Sequence, residues 1–177
     1  MDNLSGIRNI SQRLLICLWA VLIINPVFNA VMWFGPIFDT NNEFFMADFP
    51  YYIELPLDTG PALLGFLVSN ITVVVASMII WQLITLFRLY RDGKIFAMDN
   101  VNCYHKIANY IILYVFSGFA VGLLMGPALT YNLEETTVSF GLTDSDITLL
   151  IIGIMIRLIA KVMREAKGLY DEQILTI

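Results

Sequence analysis

All ten Lys and Arg residues of this chain fall in three of its five polar segments, and the other two hold acids without a single base. Arg8 and Arg13 precede the first long apolar run. Arg88, Arg91, Lys94 and Lys106 lie between the second and third, and Arg157, Lys161, Arg164 and Lys167 come near the end of the sequence. The intervening segments carry Asp39, Glu43, Asp48, Glu54 and Asp58, then Glu134, Glu135, Asp144 and Asp146. Basic residues accumulate on the cytoplasmic side of membrane proteins, so the pattern predicts cytoplasmic termini, a cytoplasmic central loop and two outer acidic loops.

With 58% hydrophobic and 14% charged residues, the 177-residue chain is too apolar for an ordinary water-soluble domain. A single membrane domain over residues 1–177 accounts for the whole sequence. The net charge of −5 conceals a split of nine outer acids without a base and ten inner bases against six acids. A basic inner face suits anionic lipid headgroups. Cys17 lies in an apolar run and Cys103 in the inner loop, so both are expected as reduced thiols. The first apolar run continues uncharged to Phe38 and offers no convincing small-residue cleavage site, which argues against a removed secretory signal.

A bilayer core of about 30 Å needs roughly 20 apolar residues per helix. Residues 14–38, 61–87 and 107–125 qualify, being free of charge. A fourth run, 147–163, contains Arg157 and Lys161 and is weaker. Parity favours it, because without it the basic tail would lie outside. The expected spans are about 14–35, 61–87, 107–127 and 147–163, giving an all-α, integral membrane four-helix bundle with both termini cytoplasmic.

Pro26 is expected to kink the first helix, with Asn25 and Asn29 on one face of it. Trp33 and Phe34, and at the other end Trp81 and Tyr90, read as interface anchors. Gly118, Gly122 and Gly126 repeat every four residues and predict close helix packing, within the bundle or across a homodimer seam. Pro127 is expected to end that helix.

Arg157 is the one ionisable residue deep in the apolar zone, since ten residues beyond Ile147 place it about 15 Å down. Asn25 and Asn70 fall at comparable depth, so the three form a candidate intramembrane polar cluster. Such a cluster would offset an insertion cost of about 2.5 to 3.5 kcal/mol for the arginine. The plainer alternative is that Arg157 reaches inward to the headgroups.

No span contains Asp, Glu or His, which disfavours a proton-coupled carrier. Cys103 and His105 lack a second pair to complete a metal set, and no nucleophile elbow, zinc-protease or phosphate-loop motif occurs. The expectation is a non-enzymatic protein with no cofactor and no direct nucleic-acid contact. Asp144 and Ser145 read as a helix N-cap rather than as part of a cation site. Eight aromatics, Trp33, Phe34, Phe38, Phe44, Phe45, Phe49, Tyr51 and Tyr52, gather in or beside the first outer loop. They fit a loop lying on the headgroups or, more specifically, a receptor surface for an outer ligand.

Two inner segments are too patterned to be plain connectors. Arg91, Asp92, Gly93 and Lys94 make a turn that returns Ile95 and Phe96, and Asp99 can cap the helix that follows, with Asn100 beside it. In the tail, Val162, Ala166, Leu169 and Tyr170 recur at helical spacing, so the fourth helix should continue as an amphipathic cytoplasmic stalk.

At these segments the chain resembles a bacterial family of four-span membrane proteins known as domain of unknown function twenty-nine seventy-five. The resemblance covers most of the chain. It rests on residues 90–96 with Asp99 and Asn100, and on the closing pattern Leu169, Asp171, Glu172, Gln173, Leu175, Thr176 and Ile177. At 163–167 the chain has Met163 and Ala166 where the family tends to have Phe and Gly. Members are often encoded beside very small helix-turn-helix regulators, so the resemblance implies a bacterial inner-membrane protein that anchors or senses for such a partner. The candidate partner-binding residues are Asp92, Gly93, Lys94, Ile95, Phe96, Asn100, Leu169, Glu172, Gln173, Leu175 and Thr176. A small transporter or channel component using Asn25, Asn70 and Arg157 is the main alternative, and an immunity or envelope-stress protein is the next.

Overall fold

The computed structural model describes residues 2–38, 58–94, 97–130, 141 and 143–175, with side chains from 6 to 169 within those ranges. Four helices occur among them: α1 (Asp2–Phe38), α2 (Thr59–Arg91), α3 (Met98–Leu129) and α4 (Asp144–Leu175). α1 to α3 are long and apolar enough to cross a membrane. At 1.5 Å per residue each measures about 48 to 55 Å, more than the roughly 30 Å hydrocarbon core requires. α4 is equally long but richer in charge, with Arg157, Lys161, Arg164, Glu165 and Lys167 along it.

The apolar side chains of these helices are largely outside. Ile16, Leu67, Phe116 and Ile154 are each more than half exposed. In water such surfaces would drive aggregation, whereas in lipid they cost nothing. The protein is accordingly a membrane protein.

Packing divides the chain into two compact units. The first comprises 1–22, 75–115 and 143–177, and the second 23–74 and 116–142. In the first, Leu86, Cys103 and Ile107 form the core, with Leu83, Leu89, Tyr104, Ile111 and Ile156 around it. The face of α4 used here is Gly153, Ile156 and Ala160, spaced i, i+3 and i+7. Gly153 is tight, since a Cβ there would stand 3.0 Å from Ile112 Cγ1 and 3.4 Å from the Ala108 carbonyl.

In the second unit Trp33, Ala62 and Met125 form the core, joined by Ile37, Phe66, Val68, Val121 and Leu129. Phe34 packs on Phe66 with ring centres 5.0 Å apart. Trp33 is only 6% exposed, so it is a core residue rather than the interface anchor its place in the sequence suggests. Its indole fits because residue 65 is glycine.

α1 is helical through Pro26 and Pro36. Two local expectations shift. α3 runs two residues past Pro127 to Leu129, because a proline forfeits one backbone bond without ending a helix whose neighbours hold it. The α4 cap lies at Thr143, one residue before Asp144: the Asp146 amide donates to Thr143 Oγ1 at 3.3 Å, and the Thr143 amide donates to Asp146 Oδ2 at 2.9 Å. This reciprocal capping box satisfies donors at both ends of the turn.

Candidate functional site

The connector from α2 to α3 is built as a locked turn. The Gly93 amide donates to the Tyr90 carbonyl at 3.1 Å and the Lys94 amide to the Leu89 carbonyl at 2.9 Å. Gly93 stands at φ +78°, and this pair of bonds with a left-handed residue is a Schellman ending, for which glycine carries no Cβ penalty. Asn100, fully buried in the first turn of α3, donates its amide to the Lys94 carbonyl at 2.6 Å. The helix end and the helix start are therefore tied across the connector by one side chain.

This geometry sorts the residues the sequence singles out. Gly93 and Asn100 fix the backbone, and Asn100 presents no surface. Asp92 and Lys94 are exposed, and so is Arg91, whose Nε donates to Asp92 Oδ1 at 3.1 Å. An exposed pair of this kind contributes at most about 1 kcal/mol, so the turn rests on its backbone bonds. Asp99 falls inside the first turn of α3 rather than at its cap. Ile95, Phe96 and Thr176 lie outside the described residues, as do the side chains of Glu172, Gln173 and Leu175.

Beside the connector, the Tyr90 and Tyr104 hydroxyls share a hydrogen bond of 2.5 Å, joining the last turn of α2 to the second turn of α3. In α4, Val162, Ala166 and Leu169 share one face and are all exposed, Leu169 by 63%. Arg157, Lys161 and Arg164 follow at i, i+4 and i+7 along a stripe towards the opposite side of the helix, also exposed.

The Asn70 amide donates to the Phe66 carbonyl of its own helix at 2.7 Å. Asn25 is half-buried and belongs with Asn70 to the second unit, whereas Arg157 is exposed and belongs to the first. The second unit does contain a polar contact between α1 and α2, one register away: Ser69 Oγ lies 3.1 Å from Asn29 Oδ1 and 3.0 Å from the Phe66 carbonyl. One hydroxyl proton cannot serve both acceptors, while the enclosed Asn29 Nδ2 has no acceptor. Turning the Asn29 amide over lets Ser69 donate to Phe66 and accept from Asn29, and leaves the amide oxygen rather than the amine at the enclosed position.

Along the glycine repeat of α3 burial rises from Gly118, where a Cβ would meet nothing within 4 Å, through half-buried Gly122 to buried Gly126, since a four-residue repeat drifts about 40° per step around the helix. Close approach is also seen at Gly65 and Gly153. Cys17 and Cys103 are free thiols, exposed and buried respectively. The aromatic segment from Phe44 to Tyr52 lies outside the described residues.

A family model described as a protein of unknown function, DUF2975, matches residues 24–177. No curated protein and no solved structure matches the chain.

Proposed function

For a chain that belongs to the DUF2975 family, we propose a non-enzymatic role in the bacterial inner membrane: anchoring or sensing for a small cytoplasmic helix-turn-helix regulator. Four spans form a bundle in this reading, with α4 crossing beside the three more apolar helices. Both termini and the central connector face the cytoplasm in this reading, which the distribution of Lys and Arg supports.

The observation that carries the reading is the continuation of α4 to Leu175, some twelve residues beyond its apolar stretch, with Val162, Ala166 and Leu169 exposed along one face. A helix leaving the bilayer has no internal reason to keep an apolar stripe. Docked into a groove of a small helical protein, that stripe is covered. The exposed Asp92 and Lys94 sit on a rigid turn, which limits the ordering entropy lost on binding. The link to a DNA-binding partner itself rests on the family resemblance.

The reading is tested by crosslinking the tagged full-length chain in its host and comparing the captured proteins with those taken by a chain ending at Gly168. Capture of a small helix-turn-helix protein by the full-length chain alone supports it. Identical captures without such a protein defeat it. Transport has weaker support, because Asn70 is bonded within its own helix.

A further inference from the structure

Two arginines occupy the last turn of α2, and their surroundings differ. Arg91 is held by Asp92. Arg88 is exposed, reaches no carboxylate among the described residues, and holds its guanidinium over the Trp19 ring, 5.6 Å from the centroid. Trp19 is in turn met edge-on by Trp81, with ring centres 5.9 Å apart and planes at 80°. Both indoles are exposed, by 37% and 47%, and Met78, one turn before Trp81, is 42% exposed. All four side chains belong to the first unit.

We propose that Arg88, Trp19 and Trp81 form a binding site for an anionic phospholipid in the leaflet that meets the C-terminal end of α2. Three features select this ligand. The cation–π contact with Trp19 engages the charge of the guanidinium rather than its N–H donors, and that planar fork matches the oxygens of a phosphodiester. The indoles lie toward the apolar side of Arg88, since Trp81 precedes it by seven residues, about 10 Å along the helix. That is the order of a headgroup above an interfacial aromatic layer, with an acyl chain continuing past Trp81 and Met78. Finally, Arg88 carries a positive charge with no counter-ion of its own among the described residues, whereas a zwitterionic headgroup would bring a competing cation to the site. The site is independent of the proposed regulator, and either can fail without the other.

The test uses the full-length chain reconstituted in phosphatidylcholine vesicles doped with brominated phosphatidylglycerol or brominated phosphatidylcholine, reading tryptophan quenching. Trp33 is buried in the second unit and supplies a common background. The expected result is an enrichment of the anionic lipid at the indoles of about fivefold over random mixing. Arg88→Gln should abolish the preference, and Arg88→Lys, which keeps the charge and the fold but loses the planar fork, should reduce it by more than half. Arg91→Gln should leave it intact. Coincident quenching curves for the two lipids in the native chain overturn the proposal. So does a full preference retained in both Arg88 variants, or an equal loss in Arg91→Gln, which would indicate a general surface field. Displacement of the brominated lipid by inorganic phosphate would assign the site to a soluble anion and likewise overturn it.

Discussion

Trp33 and Gly65 are so closely opposed that a Cβ on residue 65 would lie 2.1 Å from the indole Cζ3 and 2.3 Å from Cη2. The ring cannot easily retreat, being 6% exposed and surrounded by the core of its unit. Glycine at 65 is what lets a tryptophan pack between α1 and α2.

Gly65, Gly153 and Gly118 should therefore rank by the space a Cβ would find at each. Gly65→Ala forces the indole off its rotamer and should destabilise by about 1 to 3 kcal/mol. Gly153→Ala needs only a few tenths of an ångström from Ile111 and Ile112, and should cost about 1 kcal/mol or less. Gly118→Ala meets nothing and should be neutral or stabilising by up to about 1 kcal/mol, through reduced backbone freedom in the unfolded chain. Thermal unfolding in detergent gives the order, and a Gly118→Ala chain that loses a dimer would instead place the homodimer seam there.

Asn100→Ala should loosen the connector while leaving the helices formed. It removes the 2.6 Å bond to the carbonyl of the exposed Lys94, a loss of about 1 kcal/mol. Faster amide exchange at residues 92–97, with α2 and α3 still protected, is the expected signature. Unchanged exchange would mean that the Schellman bonds alone hold the turn.

The capping box at the start of α4 gives a pH dependence of known sign. Donation from the Thr143 backbone N–H, and then from its hydroxyl, holds the Asp146 carboxyl below the usual carboxylate range. A depressed folded-state value stabilises the folded form above the unfolded value of about 3.9, and that stabilisation is lost as pH falls through the lower folded value. Protection against amide exchange in the first turn of α4, taken relative to the intrinsic rate at each pH, should fall as the pH drops below about 4. Asp146→Asn should flatten the response.

Much of this architecture is legible in the sequence because lipid imposes it. Charge-free runs at 14–38, 61–87 and 107–125 mark α1, α2 and α3, although the helices extend past them where the ends meet water. Gly93 announces its turn, because a glycine between Asp92 and Lys94 after a long helix has few other uses. The glycine contacts were hidden. A repeat such as Gly118, Gly122 and Gly126 shows where close approach is allowed, whereas the lone Gly65 becomes critical only through Trp33, distant in sequence. The Ser69–Asn29 contact between α1 and α2 has no signal in the sequence, because a serine and an asparagine forty residues apart are paired only by the packing of the two helices. Thr143 might have been found from its spacing to Asp146, a cap residue followed three positions later by a carboxylate.

The account stands on the exposed stripe of α4 and the rigid turn beyond α2 acting as one cytoplasmic docking surface. A photo-crosslinking amino acid placed in the host at position 169, at 92 and, as a control, at 118 tests this most directly. The account predicts that 169 and 92 both capture the same small helix-turn-helix protein and that 118 captures none. Lipid adducts alone at 169 and 92, or the same protein captured at 118, would contradict it.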